Sequence, residues 1–216
     1  MSDYLDTIAR AVQSGDEKLV TQTVAEALDA GLAPEEILNK GLIPGIQALG
    51  QLFKDGEAYL PEILISTRAM RSGVGKLSPL LAGKAVAKRG TVVVGTIEGD
   101  MHDIGKNLVK LMLESNGFEV HDLGVDVPAD SFVRAARELN ADIVAISALL
   151  TTTMVSIPDV VKALEQAGLR NRVKVMIGGA PITRQFADEV GVEGYADDCA
   201  SAVDEADRLI KSAPIG

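Results

Sequence analysis

Beyond residue 90 the chain alternates short β-branched runs with helical stretches, and before residue 88 no such run occurs. The runs are Thr91-Val92-Val93-Val94-Gly95-Thr96, Phe118-Glu119-Val120, Ile143-Val144-Ala145-Ile146-Ser147 and Val173-Lys174-Val175-Met176-Ile177. Continuous apolar, β-branched runs of this length mark strands of a parallel sheet buried on both faces. Helical stretches lie between them near 103–116, 129–139, 153–167 and 181–190, with a last one near 199–212. Strand and helix alternating at this spacing predict βαβ units. Residues 90–216 are therefore expected to form an α/β domain: a doubly wound, flavodoxin/Rossmann-like parallel sheet. In such sheets ligands gather beyond the carboxyl ends of the strands, at the point where strand order reverses. The loops at those strand ends are thus where function is sought.

Residues 1–88 read as helices throughout. Tyr4, Leu5, Ile8 and Val12 recur at helical spacing behind a Ser2 cap, and Ser14-Gly15-Asp16 is a break. Leu19, Val20, Val24, Ala27 and Leu28 form the stripe of a second helix, with Gly31 placed to end it. Ala33-Pro34-Glu35-Glu36 looks like the start of another helix, which Gly41 and Pro44 are expected to interrupt. A helix carrying Ile46, Leu49 and Phe53 runs to Asp55-Gly56. From Leu60 to Leu81 one or two helices are expected, broken near Ser72-Gly73 or Ser78-Pro79. Short connections imply an antiparallel bundle. Lys84 to Gly90 reads as a linker.

Composition narrows the function. Aromatics are 3% of the chain and apolar residues 47%, so the cores are built from Ala, Val, Leu and Ile. The net charge of −10 repels phosphate backbones and argues against nucleic acid as a partner. Cys199 is the one cysteine, which excludes an intrachain disulfide and suits a reducing compartment. The N-terminus MSDYLDTIAR has no apolar run of a secretory signal, and no stretch approaches the roughly 20 apolar residues of a membrane span. A soluble, cytoplasmic protein is expected, with no membrane partner.

The loop after the first strand reads Glu98-Gly99-Asp100-Met101-His102-Asp103-Ile104-Gly105-Lys106-Asn107. It holds one of only two histidines, at the ligand-binding edge of the sheet. Asp100, two residues earlier, can accept from one ring nitrogen and leave the other as a free lone pair, the arrangement that prepares an imidazole for a metal. From spacing alone, a metal ligand and a solvent-exposed or capping histidine both remain open.

Asp100-x-His102-x-x-Gly105 resembles the Asp-x-His-x-x-Gly signature of B12-binding domains, in the form seen in the corrinoid proteins of methyltransferase systems and the cobalamin module of cobalamin-dependent methionine synthase. A Ser-x-Leu element has its counterpart in Ser147-Ala148-Leu149, followed by Leu150-Thr151-Thr152-Thr153. A Gly-Gly element has its counterpart in Gly178-Gly179. Each falls at the carboxyl end of an expected strand. The string Asp122-Leu123-Gly124-Val125-Asp126-Val127-Pro128 is also similar to the family, as is Gly56-Glu57-Ala58-Tyr59-Leu60-Pro61-Glu62-Ile63-Leu64, with Met70 beyond it. The likeness thus covers nearly the whole chain.

The resemblance implies a cobalamin or related corrinoid bound base-off/His-on, with residues 1–88 a helical cap and 90–216 the B12-binding domain. It makes His102 the lower axial ligand of the cobalt. Asp100 orients His102, and Ser147 completes an Asp-His-Ser hydrogen-bonded set. Met101, Asp103, Ile104 and Gly105 belong to the loop beneath the ring. Gly178 and Gly179 make room for the cofactor's tail, which Leu149, Thr151 and Thr152 line. From the residues alone, Gly178-Gly179 is equally a tight strand-to-helix turn. Tyr59, Leu60 and Met70 are implied to shield the methyl group, with plain bundle core the other reading of Leu60 and Met70. His121 matches no ligand position, and Cys199 is structural.

The implied function is that of a methyl carrier, not a complete enzyme alone. It accepts a methyl group on cobalt from a substrate-specific methyltransferase and presents it to an acceptor methyltransferase (thiol or tetrahydrofolate-type), with a reductive activase as a third partner. The linker would let the cap swing aside. Three competing readings are weaker. A carbon-skeleton mutase needs a substrate barrel for which the chain has no room. A B12-dependent regulator needs a basic DNA-binding element. A phosphoacceptor receiver needs an Asp where Ser147 stands.

Overall fold

In the computed structural model residues 2–81 and 89–212 are described. Contacts divide the chain into two units, Met1–Lys88 and Arg89–Gly216. Residues 84–88 of the expected linker, and the side chain of Ser2, lie outside the described residues.

The first unit is helical: α1 (Ser2–Ser14), α2 (Glu17–Asp29), α3 (Pro34–Ile37), α4 (Ile43–Lys54) and α5 (Leu60–Leu81). The Asp16 side chain accepts from the Leu19 amide at 2.9 Å and starts α2. Gly31 takes φ +85° just past its end. Ile8, Val12, Val20, Val24, Ile37, Leu42 and Ile46 are fully buried and form the core.

Two expectations fail here. Gly41 and Pro44 do not interrupt the helix. A π turn, Leu38–Leu42, joins α3 to α4 with no gap, and the Ile43 amide donates to the Leu38 carbonyl five residues back. The wider turn is where the chain absorbs Pro44, which has no N–H and whose ring would strike the carbonyl one turn behind. Likewise α5 does not break at Ser72-Gly73. A Cβ on Gly73 would stand 2.6 Å from Leu42 and 2.9 Å from Val20, so this glycine permits close helix packing and ends nothing. Pro79 lies inside the last turn of the same helix. Among the described residues no helix is long and apolar enough to cross a membrane.

The second unit holds a five-stranded, all-parallel sheet in the order β2-β1-β3-β4-β5. The strands are β1 (Thr91–Thr96), β2 (Glu119–Asp122), β3 (Ile143–Ser147), β4 (Lys174–Gly178) and β5 (Gly194–Ala196). The helices are α6 (Ile104–Ser115), α7 (Ala129–Glu138), α8 (Thr151–Met154), α9 (Ile157–Gln166), α10 (Arg184–Val190) and α11 (Ser201–Lys211). α6 and α11 pack on one face of the sheet. α7 and α9 cover the other, where Phe132, Val160 and Leu164 meet Val93, Val144 and Val175.

The stretch expected as one helix over 153–167 is two, α8 and α9, with Pro158 in the first turn of α9. β5 has no β-branched run, and sequence patterning does not find it. His121 lies within β2, opposite Val93, half-exposed and 3.6 Å from Glu119. Strand order reverses between β1 and β3, so the loops at the ends of these two strands share one crevice.

Candidate functional site

The β1–α6 loop and the segment after β3 are tied together through one carboxylate. Asp100 is fully buried. Its Oδ1 accepts from the His102 backbone amide at 3.1 Å and lies 2.7 Å from His102 Nδ1. Its Oδ2 accepts from the amides of Leu149 at 2.7 Å and Leu150 at 3.3 Å, and from Thr153 Oγ1 at 2.8 Å. Burial opposes ionisation of Asp100, but the Leu149 amide, His102 and Thr153 outweigh it and hold the carboxyl well below the usual carboxylate range. An ionised carboxylate only accepts, so His102 Nδ1 carries the proton and donates it. The Nε2 lone pair is left free. The His102 side chain is half exposed while that of Asp100 is sealed, so a solvent-accessible ring stands on a fixed base.

Exposed apolar side chains stand beside His102 in the loop. Met101 and Ile104 are 67% and 75% exposed. With Leu149, Leu150 and Val155 they account for every exposed large apolar side chain among the described residues of the second unit. All five lie in the two segments that follow β1 and β3. Asp103 and Gly105 are exposed at the start of α6, and Asp103 bonds to Asn107 one turn on. Thr151 and Thr152 face solvent. Thr96 Oγ1 donates to the His102 carbonyl at 2.9 Å and pins the loop from below.

The structure reassigns the hydroxyl of the set. Among the described residues the Ser147 hydroxyl makes no hydrogen bond to Asp100 or His102, and Thr153 fills that place. The reason is geometric. Ser147 sits in the ladder at the end of β3, and its carbonyl accepts from Ile97. Thr153, in the short helix α8, turns inward to Asp100 while Thr151 and Thr152 turn outward. Helical phase in Leu150-Thr151-Thr152-Thr153 is the signal by which sequence could have found it.

The two glycines after β4 answer to backbone. A Cβ on Gly178 would stand 2.7 Å from the Ala196 carbonyl oxygen. Gly179 has φ +128°, and a Cβ there would overlap the Ala148 carbonyl oxygen and lie 2.8 Å from its carbon. In the first unit Met70 is 2% exposed and belongs to the bundle core, which removes it as a shield for a ligand; Tyr59 and Leu60 stay exposed at 66% and 42%.

Lys106, one turn into α6, is buried with its Nζ 2.7 and 2.8 Å from the two oxygens of Asp122. Gly124 N–H and Lys110 also bond to Asp122. Burial opposes ionisation of Asp122, but Lys106, Gly124 and Lys110 outweigh it and lower its pKa. The folded pKa lies below the unfolded one. Its stabilisation is therefore complete above the unfolded value of about 3.9 and is lost as pH falls through the folded value. Denaturant titrations from pH 7 down to pH 3 are expected to show a shallower acid loss of stability for Asp122→Asn than for wild type.

The donor chemistry fits a metal that arrives with most of its ligands. Among the described residues no three His, Cys, Asp or Glu side chains gather to hold an ion. A single oriented imidazole in a loop with exposed apolar side chains suits a metal that a macrocycle already ligates.

Known proteins agree. A family profile described as a B12 binding domain matches residues 90–204, and a second of the same description matches residues 4–78. The dimethylamine corrinoid protein 3 of Methanosarcina acetivorans is 46% identical over 206 residues, covering 95% of this chain and 96% of that protein. The trimethylamine corrinoid protein 2 of the same organism is 46% identical over 218 residues, covering 98% and 100%. Among solved structures, the methanol:cobalamin methyltransferase complex of Methanosarcina barkeri contains a chain that superposes with TM-score 0.87 at 31% identity, covering 98% of this chain and 81% of that one. The chain described here belongs to the family of B12-binding corrinoid proteins.

Proposed function

We propose that this protein is a methyl carrier. It would hold a corrinoid base-off through His102, accept a methyl group from a substrate-specific methyltransferase and present it to a second, acceptor methyltransferase. The observation that carries the reading is His102 itself: its Nδ1 is locked to a sealed carboxylate, in a loop whose Met101 and Ile104 are exposed.

Bound there, the corrinoid supplies a cobalt centre that takes up and releases the methyl group. The chain's own residues set that centre's surroundings. Asp100 fixes the tautomer and direction of His102 and strengthens its basicity. Thr153 and the Leu149 and Leu150 amides keep Asp100 ionised. Met101, Ile104, Leu149 and Leu150 would offer the bound corrinoid an apolar bed that excludes water. Gly105, Asp103, Thr151 and Thr152 border it. Gly178 and Gly179 shape the turn beside which the detached tail would run. Residues 1–88, with exposed Tyr59 and Leu60, act as the cap domain, and residues 90–216 as the corrinoid-binding domain. Relatives named for dimethylamine and trimethylamine, at the same identity, support a methylated amine as donor. The choice between amines then belongs to the partner methyltransferase. A reductive activase completes the system in a cytoplasmic setting.

The test is the visible spectrum after reconstitution with a cobalamin. Wild type is expected to bind one equivalent with the signature of imidazole ligation, and His102→Ala to lose that signature. Absence of stoichiometric binding by folded wild type would overturn the reading.

A further inference from the structure

The β2–α7 loop grips the histidine loop from the side opposite α8. It is anchored first to β1: the Thr96 amide donates to the Gly124 carbonyl at 3.0 Å, and the Val127 amide to the Thr96 carbonyl at 2.9 Å. A parallel bridge joins Ile97 and Val127. At the loop's root, Asp122 accepts from the Gly124 amide at 2.9 Å while held by Lys106. Between these anchors stands Asp126, exposed, with φ +55°. Few side chains adopt that backbone region, and Asp and Asn are among those that do.

Among the described residues Asp126 makes two bonds, both to the residues that lead into His102. Its backbone amide donates to the Asp100 carbonyl at 3.0 Å. Its Oδ1 accepts from the Gly99 amide at 2.7 Å. Asp100 is thus held at its side chain by the segment after β3 and at its main chain by the loop after β2. The Asp100 amide is also held by the Ile97 carbonyl at 3.1 Å; with side chain, amide and carbonyl all fixed, the direction in which His102 projects is set.

The geometry points to Asp126 as a positioning residue for the axial histidine, acting through the Gly99–Asp100 backbone. This rests on the reading of His102 as cobalt ligand. What matters is an acceptor oxygen in a left-handed backbone, and asparagine supplies both. Alanine loses the acceptor and strains the backbone, whereas glycine loses the acceptor and relaxes it. Comparing the two separates the hydrogen bond from the strain.

Wild type, Asp126→Asn, Asp126→Ala and Asp126→Gly are each titrated with hydroxocobalamin. The fraction with imidazole ligation is read from the visible spectrum. In the cofactor-free protein the exchange protection of the Gly99 amide is read by NMR. D126N is expected to match wild type. D126A and D126G are expected to lose Gly99 protection, to gain an imidazole-off fraction and to bind about five- to tenfold more weakly, the size of one ordinary hydrogen bond. Wild-type ligation and affinity in D126G, or a D126N as impaired as D126A, would overturn the brace. A wild type without imidazole ligation overturns the reading of His102 and the brace with it, so the two failures are told apart by the wild-type spectrum alone.

Discussion

Gly179→Ala is expected to destabilise the cofactor-free protein by about 3 kcal/mol or more and to abolish corrinoid binding with it. Two effects add. The φ of +128° lies where an L side chain is strained by about 1–3 kcal/mol. The new Cβ also overlaps the Ala148 carbonyl, which belongs to the chain just past β3 and cannot yield without moving Leu149, one of the donors to Asp100. The insult is therefore transmitted to the carboxylate that orients His102. Urea unfolding of the cofactor-free variant measures the first effect and cobalamin titration the second. A variant as stable as wild type that binds fully would show that the turn relaxes freely. Loss of binding with undiminished stability would instead show that Gly179 answers to the ligand and not to Ala148.

How much of this is legible in the sequence depends on the physics each signal encodes. β1 and β3 are readable because both faces of a central parallel strand are buried, so Thr91–Thr96 and Ile143–Ser147 are mostly β-branched. β5 has only Gly194, Tyr195 and Ala196 at an edge and carries no such run. Gly73 misleads because a glycine that admits Leu42 and Val20 looks in sequence like one that ends a helix. Met70 is ambiguous for a similar reason: an apolar residue on a helix reads alike whether it faces a ligand or a core. His102 and Asp100 are legible because their partnership is local, two residues apart. Thr153 and Asp126 act on the same loop from 53 and 27 residues away, and no spacing rule joins them to it. The Ser-x-Leu likeness even points to the wrong hydroxyl, since strand position fixes Ser147 in the ladder while helical phase turns Thr153 inward.

Asp100→Asn is expected to cost the protein about 10- to 100-fold in corrinoid affinity and to convert bound cofactor to an imidazole-off form. The wild-type carboxylate accepts five hydrogen bonds, two at Oδ1 and three at Oδ2. Asparagine has one acceptor oxygen, and its NH2 group must replace the other. If the NH2 group takes the Oδ2 side it faces the Leu149 and Leu150 amides, donor against donor, and the loop is pushed open. If it takes the Oδ1 side it donates to His102 Nδ1, which can accept only by moving its proton to Nε2. Nε2, the nitrogen proposed to meet the metal, would then carry a hydrogen instead of a lone pair. Either way the imidazole is lost as a ligand, through displacement in one case and through the wrong tautomer in the other. Nitrogen-15 shifts of His102 in the cofactor-free variant distinguish the two. Removing a single donor is milder: Thr153→Val should weaken ligation by less than Asp100→Asn, and Ser147→Ala should leave it unchanged. An Asp100→Asn protein with wild-type affinity and spectrum, or a Ser147→Ala more impaired than Thr153→Val, would show that the carboxylate network is not what aims His102.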